Sequence, residues 1–183
     1  TATNEYFRRA LNGLNQVWTA NHEPIIVIGV GFVKNDFAKF IQNEKPDIAK
    51  SVADVKSVNN GGAAGIYEAL RSGVLLNVMK QLRIVEETEV MEEVLKRLGK
   101  NKADVVYGLE EVENASKLGA VEKLAIADTM LREADDEKRL QVEEIMREVE
   151  QKGGTVIVIS TEHEAGAKLT ALGGTAALLR YEL

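Results

Sequence analysis

Residues 153–159 read Gly-Gly-Thr-Val-Ile-Val-Ile. The glycine pair breaks the helix before it, and five consecutive β-branched residues make the clearest strand in the chain. Upstream of it, Asp135 to Glu150 is a highly charged amphipathic helix with Leu140, Ile145 and Val149 inward, and Val121 to Ala127 is a strand candidate. Downstream, Glu164 to Leu172 is a short helix and Thr175 to Arg180 a last strand. Strands alternating with helices predict an α/β architecture.

The same alternation extends to the start of the chain. Leu109 to Leu118 is a helix closed by Gly119, and Ala103 to Tyr107 is a short apolar run. Glu86 to Leu98 places Val90, Met91, Val94, Leu95 and Leu98 on one helix face and Glu87, Glu89, Glu92, Glu93 and Lys96 on the other, with Gly99 where a cap belongs. A second unit therefore starts near Ile84. Before it, Asn4 to Val17 presents Phe7, Leu11, Leu14 and Val17 on one helix face. Ile25 to Val30 reads as a strand buried on both faces. Asn35 to Gln42 is a helix, Lys45-Pro46 opens a turn, and Val52, Val55 and Val58 fit a second strand. Asn59 to Gly65 reads as a flexible loop and Ile66 to Met79 as a helix. The expected organisation is two α/β domains, 1–83 and 84–183.

Composition narrows the chemistry. The chain has 183 residues, 45% of them hydrophobic and 28% charged, which is ordinary globular usage. Its apolar runs fall short of the roughly 18 residues a membrane span needs, and no signal segment follows Thr1. Cysteine is absent and only His22 and His163 are present, which excludes disulfides, thiolate zinc sites, thiol nucleophiles and multi-histidine metal centres. The lack of cysteine fits a reducing compartment. The net charge of −6 conceals an asymmetry: residues 1–83 carry 10 Lys/Arg against 7 Asp/Glu, and residues 84–183 carry 13 against 22. The halves are +3 and −9, which bears on partners rather than on fold.

Short motifs are weak on their own. Gly29-Val-Gly31 between a strand and a helix lacks the third glycine of a dinucleotide fingerprint, because Lys34 stands there. Gly61-Gly62-Ala-Ala-Gly65 before a helix, with Lys56 near, could seat an anion, but loop flexibility and close backbone packing explain it better. Glu162-His163-Glu164 offers three ligand types that do not converge when consecutive, and reads as a helix start with Thr161 as a possible cap. The acidic clusters Glu86/Glu87/Glu89/Glu92/Glu93 and Asp135/Asp136/Glu137 read as solvated helix faces and helix-dipole partners. No acid–base pair, nucleophile elbow or aromatic stacking platform is evident. The residues alone indicate a two-domain α/β binding protein.

Three longer stretches resemble the Pelota family and the class 1 translation release factors. They are Gly108-Leu-Glu-Glu-Val-Glu-Asn-Ala115 with Gly119 to Arg132; Gly153 to Gly166 with Leu169 to Tyr181; and Ile25 to Phe37 with Gly65 to Leu70. The resemblance implies a partial ribonuclease-H-like central domain at 1–83, lacking its first strands, and a three-layer α/β/α domain like the kink-turn-binding proteins at 84–183. It implies ribosome rescue in mRNA surveillance: entry to the empty A site of stalled ribosomes, beside tRNA, with elongation factor 1-alpha as GTPase, then subunit splitting with an ATP-binding-cassette recycling factor. A cytoplasmic, membrane-free location follows. The family's Pro-Gly-Phe motif, associated with the GTPase, matches Gly31 and Phe32, with Val30 in place of the proline and Lys34 close by. Lys39, Lys45, Lys50 and Lys56 are the RNA-facing candidates. No catalytic residue or cofactor is expected in this stretch, because the metal-dependent endonuclease activity credited to archaeal members is placed in an N-terminal domain. The rival expectations are a class 1 release factor, marked by a Gly-Gly-Gln loop not found here, and a kink-turn RNA-binding protein, which the −9 charge opposes.

Overall fold

A computed structural model describes residues 1–183, apart from the side chains of Ala20 and Asn21. The chain divides into two compact units, Thr1–Gln81 and Leu82–Leu183. The first holds α1 (Ala2–Asn21), β1 (Ile25–Gly29), α2 (Val33–Glu44), α3 (Pro46–Ala49), β2 (Val52–Ser57) and α4 (Gly62–Arg71). α5 (Val74–Gly99) runs across the division. The second unit continues with β3 (Val105–Tyr107), α6 (Leu109–Lys117), β4 (Val121–Ala127), α7 (Thr129–Arg132), α8 (Asp136–Gln151), β5 (Thr155–Ile159), α9 (Glu164–Ala171) and β6 (Thr175–Leu179). The α/β class is as the alternating pattern implied.

In the first unit β1 and β2 pair in parallel, Val27 opposite Val55 and Gly29 opposite Ser57. The α1 face at Phe7 and Leu11 packs on α2: the Phe7 ring centroid lies 5.3 Å from Phe37 and 5.5 Å from Phe40, and Leu11 joins Val27, Ile41 and Ile48 in the core. Ile26 and Ile28 turn to the other side, towards Val58, Ala69 and Val74. Only Val27 of β1 is fully buried, so the expectation of a strand buried on both faces is corrected: this second cluster is too small to cover Ile26 and Ile28.

Several boundaries also differ from the sequence expectation. The segment after Lys45 is a short helix rather than a turn, because Pro46 at its first position is already set to a helical φ. The expected loop 59–65 is helical from Gly62. The helix expected at 66–79 breaks at Gly73, whose φ of +80° is left-handed, and its second half is the start of α5. α5 ends through Asn101 at φ +51°, with Lys102 N–H donating to Arg97 O at 3.1 Å, so Asn101 rather than Gly99 makes the left-handed cap.

The second unit is a four-stranded sheet in the order β3-β6-β4-β5. β4 and β5 are parallel and joined through α8; β6 lies antiparallel between β3 and β4. Each sheet face has its own core. One holds Val90, Met91 and Val94 of α5 with Ile157, Ile159 and Leu169; the other holds Val112 of α6 and Val142, Ile145 and Val149 of α8 with Leu124 and Ile126. Burying each Leu or Ile contributes about 1.5–3 kcal/mol, so this helix–sheet–helix sandwich is where the unit's stability resides. Asp135 caps α8, its carboxylate accepting from Lys138 N–H at 2.8 Å.

Candidate partner-binding site

At the end of β1 the chain turns through Gly31, whose φ of +63° is left-handed. A Cβ there would meet nothing within 4 Å, so backbone conformation rather than space calls for glycine. Phe32 follows as the N-cap of α2, its carbonyl accepting from Asn35 and Asp36 N–H at 2.9 and 3.1 Å. The backbone of Phe32 is thus fixed while its ring is 82% exposed. Val30 and Val33 beside it are also exposed. Three apolar side chains within four residues, held on a rigid turn and facing solvent, form the kind of anchor that fills a pocket on another protein. Val30 and Val33 also line a mainly apolar cavity of about 550 Å³ beside β1, together with Phe37 and Ile66. The motif names Val30 and Phe32 but not Val33, and the exposure of both valines depends on where α2 begins.

Lys34 was expected to offer its charge to an acidic partner or RNA. It is buried, at 8% exposure, and its Nζ donates back to the Gly31 carbonyl. Its stem covers Gly29, where an added Cβ would lie 3.1 Å from Lys34 Cβ. This lysine braces the turn that carries Phe32. Lys39, Lys45, Lys50 and Lys56 are all exposed. Lys39 is on α2, Lys45 and Lys50 flank α3, and Lys56 lies near the end of β2, so the four are spread over three elements. Lys50 Nζ lies 3.7 Å from Asp47 Oδ1, an exposed pair of little energetic weight.

The glycine-rich segment 59–65 is pinned. Glu68 on α4 accepts from Asn59 N–H at 2.9 Å, from Asn59 Nδ2 at 2.8 Å and from Asn60 Nδ2 at 3.2 Å. The Asn59 backbone N–H is the largest influence holding the Glu68 carboxyl below the usual glutamate range, with the two asparagine side chains helping. A Cβ on Gly65 would lie 2.2 Å from Asn60 O, so this glycine lets α4 close onto the loop. The loop spends a donor on its own helix, which weakens the anion-site reading.

In the second unit helical periodicity puts Glu87 on the solvated acidic face of its helix, yet it is buried. Its carboxylate accepts from Ser160 N–H at 3.3 Å and meets His163 Nε2 at 2.5 Å. His163, not Thr161, is the N-cap of α9. Thr161 instead donates to Asp128 from both N–H and Oγ1, at 3.2 and 2.9 Å. The 76-residue separation of Glu87 and His163 leaves no local signal for the pair. Glu162, His163 and Glu164 do not converge: His163 is engaged by Glu87, and Glu164 pairs with Lys168 at 3.1 Å. Among the described residues no group of three or more His, Cys, Asp or Glu is arranged to hold a metal ion. No helix among them is long and apolar enough to cross a membrane.

The family model for eRF1 domain 3 matches residues 84–183. The chain is 44% identical over 163 residues to a Pelota homologue of Thermococcus kodakarensis, covering 89% of this chain and 44% of that protein. It is similar to archaeal Pelota in a model of the ribosome-bound protein with ABCE1, at 40% identity and TM-score 0.75, over 98% of this chain and 49% of that one. It is also similar to S. cerevisiae Dom34, a translation termination-like factor of RNA quality control that interacts with Hbs1, at 27% identity and TM-score 0.61, over 88% of this chain and 48% of that one. The chain spans about half the length of these proteins. It belongs to the eRF1 domain 3 family and, within it, to the Pelota proteins.

Proposed function

We propose that this chain is the positioning part of a ribosome-rescue factor of mRNA surveillance. Residues 1–83 serve as the ribonuclease-H-like central domain and residues 84–183 as the kink-turn-protein-like C-terminal domain. The single observation that carries the reading is similarity over 98% of the chain to a Pelota described on the ribosome with ABCE1. Its work is recognition rather than bond making. The +3 half approaches tRNA and ribosomal RNA, with Lys39, Lys45, Lys50 and Lys56 as the exposed charges that weaken as salt rises. Phe32, set on the Gly31 turn and flanked by Val30 and Val33, anchors the translational GTPase, elongation factor 1-alpha. Lys34 acts through the turn it braces. The C-terminal half faces the ATP-binding-cassette recycling factor that splits the subunits. The location is the cytoplasm, and this stretch uses no cofactor.

The release-factor and kink-turn readings are less well supported. The relatives named above are Pelota and Dom34 proteins, and the −9 charge of residues 84–183 repels the phosphates a kink-turn protein must neutralise. The test is binding of the 183-residue chain to GTP-loaded archaeal elongation factor 1-alpha by calorimetry. Truncating a well-packed aromatic anchor costs about 2 kcal/mol or more, so Phe32→Ala should weaken binding at least about thirtyfold. Equal affinity of the variant would remove Phe32 from the site, and no binding of the unaltered chain would remove the GTPase contact.

A further inference from the structure

β5 is the last strand in the order β3-β6-β4-β5, so no strand among the described residues lies along its outer edge. The direction of its backbone groups follows from one hydrogen bond. Asp128 N–H donates to Ile159 O at 2.9 Å, so the N–H and C=O of Ile157 and Ile159 face β4. Those of Val156 and Val158 therefore face the open edge, since neighbouring residues in a strand alternate. The next outward group, Ser160 N–H, is taken by Glu87. The edge is thus stopped at one end by a carboxylate and left open across Val156 and Val158.

Exposed edges are normally blunted by lysine, proline or a bulge. Here the outward positions are two valines, and Val158 is 38% exposed. A groove of about 600 Å³ runs along them, walled by Arg83 and Glu86 of α5 and closed by Asp128 and Glu162. Asp128 is occupied by Thr161 and by Arg132 at 3.5 Å. Glu86 and Glu162 make no ion pair among the described residues, and Arg83 is the one cation lining the groove. The surroundings carry the −9 of residues 84–183.

We propose that this edge is a docking site for an extended basic segment of a partner protein, which adds to the sheet as a strand beside β5. Main-chain hydrogen bonds to Val156 and Val158 supply affinity, as in other strand additions, and Glu86 and Glu162 select lysine or arginine on the incoming segment. The five residues of β5 span roughly 16 Å at ~3.3 Å each, enough for a segment of about five residues. A second copy of this chain is a poor occupant, because it brings the same −9 charge of residues 84–183 to the edge. RNA is opposed by the same charges. The inference rests on the second unit alone and is independent of the ribosome reading.

The test uses the isotope-labelled 183-residue chain and a nine-residue peptide, acetylated and amidated, that alternates lysine with valine and threonine. Amide spectra should shift saturably at Val156, Val158 and Glu162, with slowed exchange at the Val156 and Val158 amides. Replacing the lysines by glutamate should abolish binding. Val158→Pro removes an outward N–H without touching the ladder to β4, and should weaken binding about fivefold, the effect of one lost backbone hydrogen bond. A peptide N-methylated at alternate residues gives the same test with the chain unaltered. Binding that survives N-methylation, shifts that fall elsewhere, equal binding of the glutamate peptide, or dimerisation through this edge in sedimentation would each overturn the proposal.

Discussion

Glu87 on α5 and His163 at the start of α9 meet with 2.5 Å between Oε2 and Nε2, and the Glu87 side chain is only 2% exposed. The same carboxylate accepts from Ser160 N–H, so one residue ties α5 to the end of β5 and to the cap of α9. Removing one partner of such a buried hydrogen bond leaves the other unsatisfied, which costs about 1–3 kcal/mol. His163→Ala should lower the stability of the second unit by about 2 kcal/mol in urea unfolding. Glu87→Gln keeps an acceptor for Ser160 and should cost less. Equal stability of His163→Ala and the unaltered chain would show that the pair is not structural.

Gly166 sits in α9 against the backbone leaving β5. A Cβ there would lie 2.0 Å from Ser160 O and 2.6 Å from Thr161 Cα. Both are backbone atoms, so relief requires moving the helix or the strand exit. Gly166→Ala should destabilise by about 3 kcal/mol, the upper part of the range for overpacking. Gly13, within α1, has nothing within 4 Å of its Cβ position. Gly13→Ala should instead stabilise by up to about 1 kcal/mol, the helix-propensity difference. Thermal unfolding of the two variants should move in opposite directions.

Local periodicity carries much of this architecture, and the residues it does not place are set by tertiary contacts and turn geometry. The Thr155–Ile159 strand, the α8 face and the alternating order of the second unit follow from local periodicity. Gly166 belongs to a motif visible in the sequence, but its reason, the approach of Ser160, needs the fold. Glu87 is indistinguishable in sequence from Glu86 and Glu89, and only the arrival of α9 makes it a buried acceptor. Lys34 likewise reads as a surface charge until the Gly31 turn brings its ammonium onto a carbonyl. Phe32 was found by resemblance to a motif; its exposure is a consequence of capping α2, which periodicity alone does not reveal.

The Glu68 carboxyl gives a pH signature. Its folded pKa is depressed, chiefly by the Asn59 N–H, so its contribution is present above the ordinary glutamate value and is lost as pH falls through the depressed folded value. Protection of the Asn59 amide against hydrogen exchange should therefore persist through mildly acidic pH and fall only below the usual glutamate range. In Glu68→Gln that acid-side step should vanish, with protection lower at neutral pH. A step at the same pH in the variant would assign it to another group.

The proposed role, positioning a rescue complex on stalled ribosomes, makes a binding prediction. The most direct measurement is co-sedimentation of the 183-residue chain with archaeal ribosomes stalled with an empty A site, in the presence of elongation factor 1-alpha and GTP. The chain should travel with these ribosomes, Phe32→Ala should reduce the bound fraction, and ribosomes whose A site already holds tRNA should retain little. Equal recovery with occupied and empty A sites, or none with either, would contradict it.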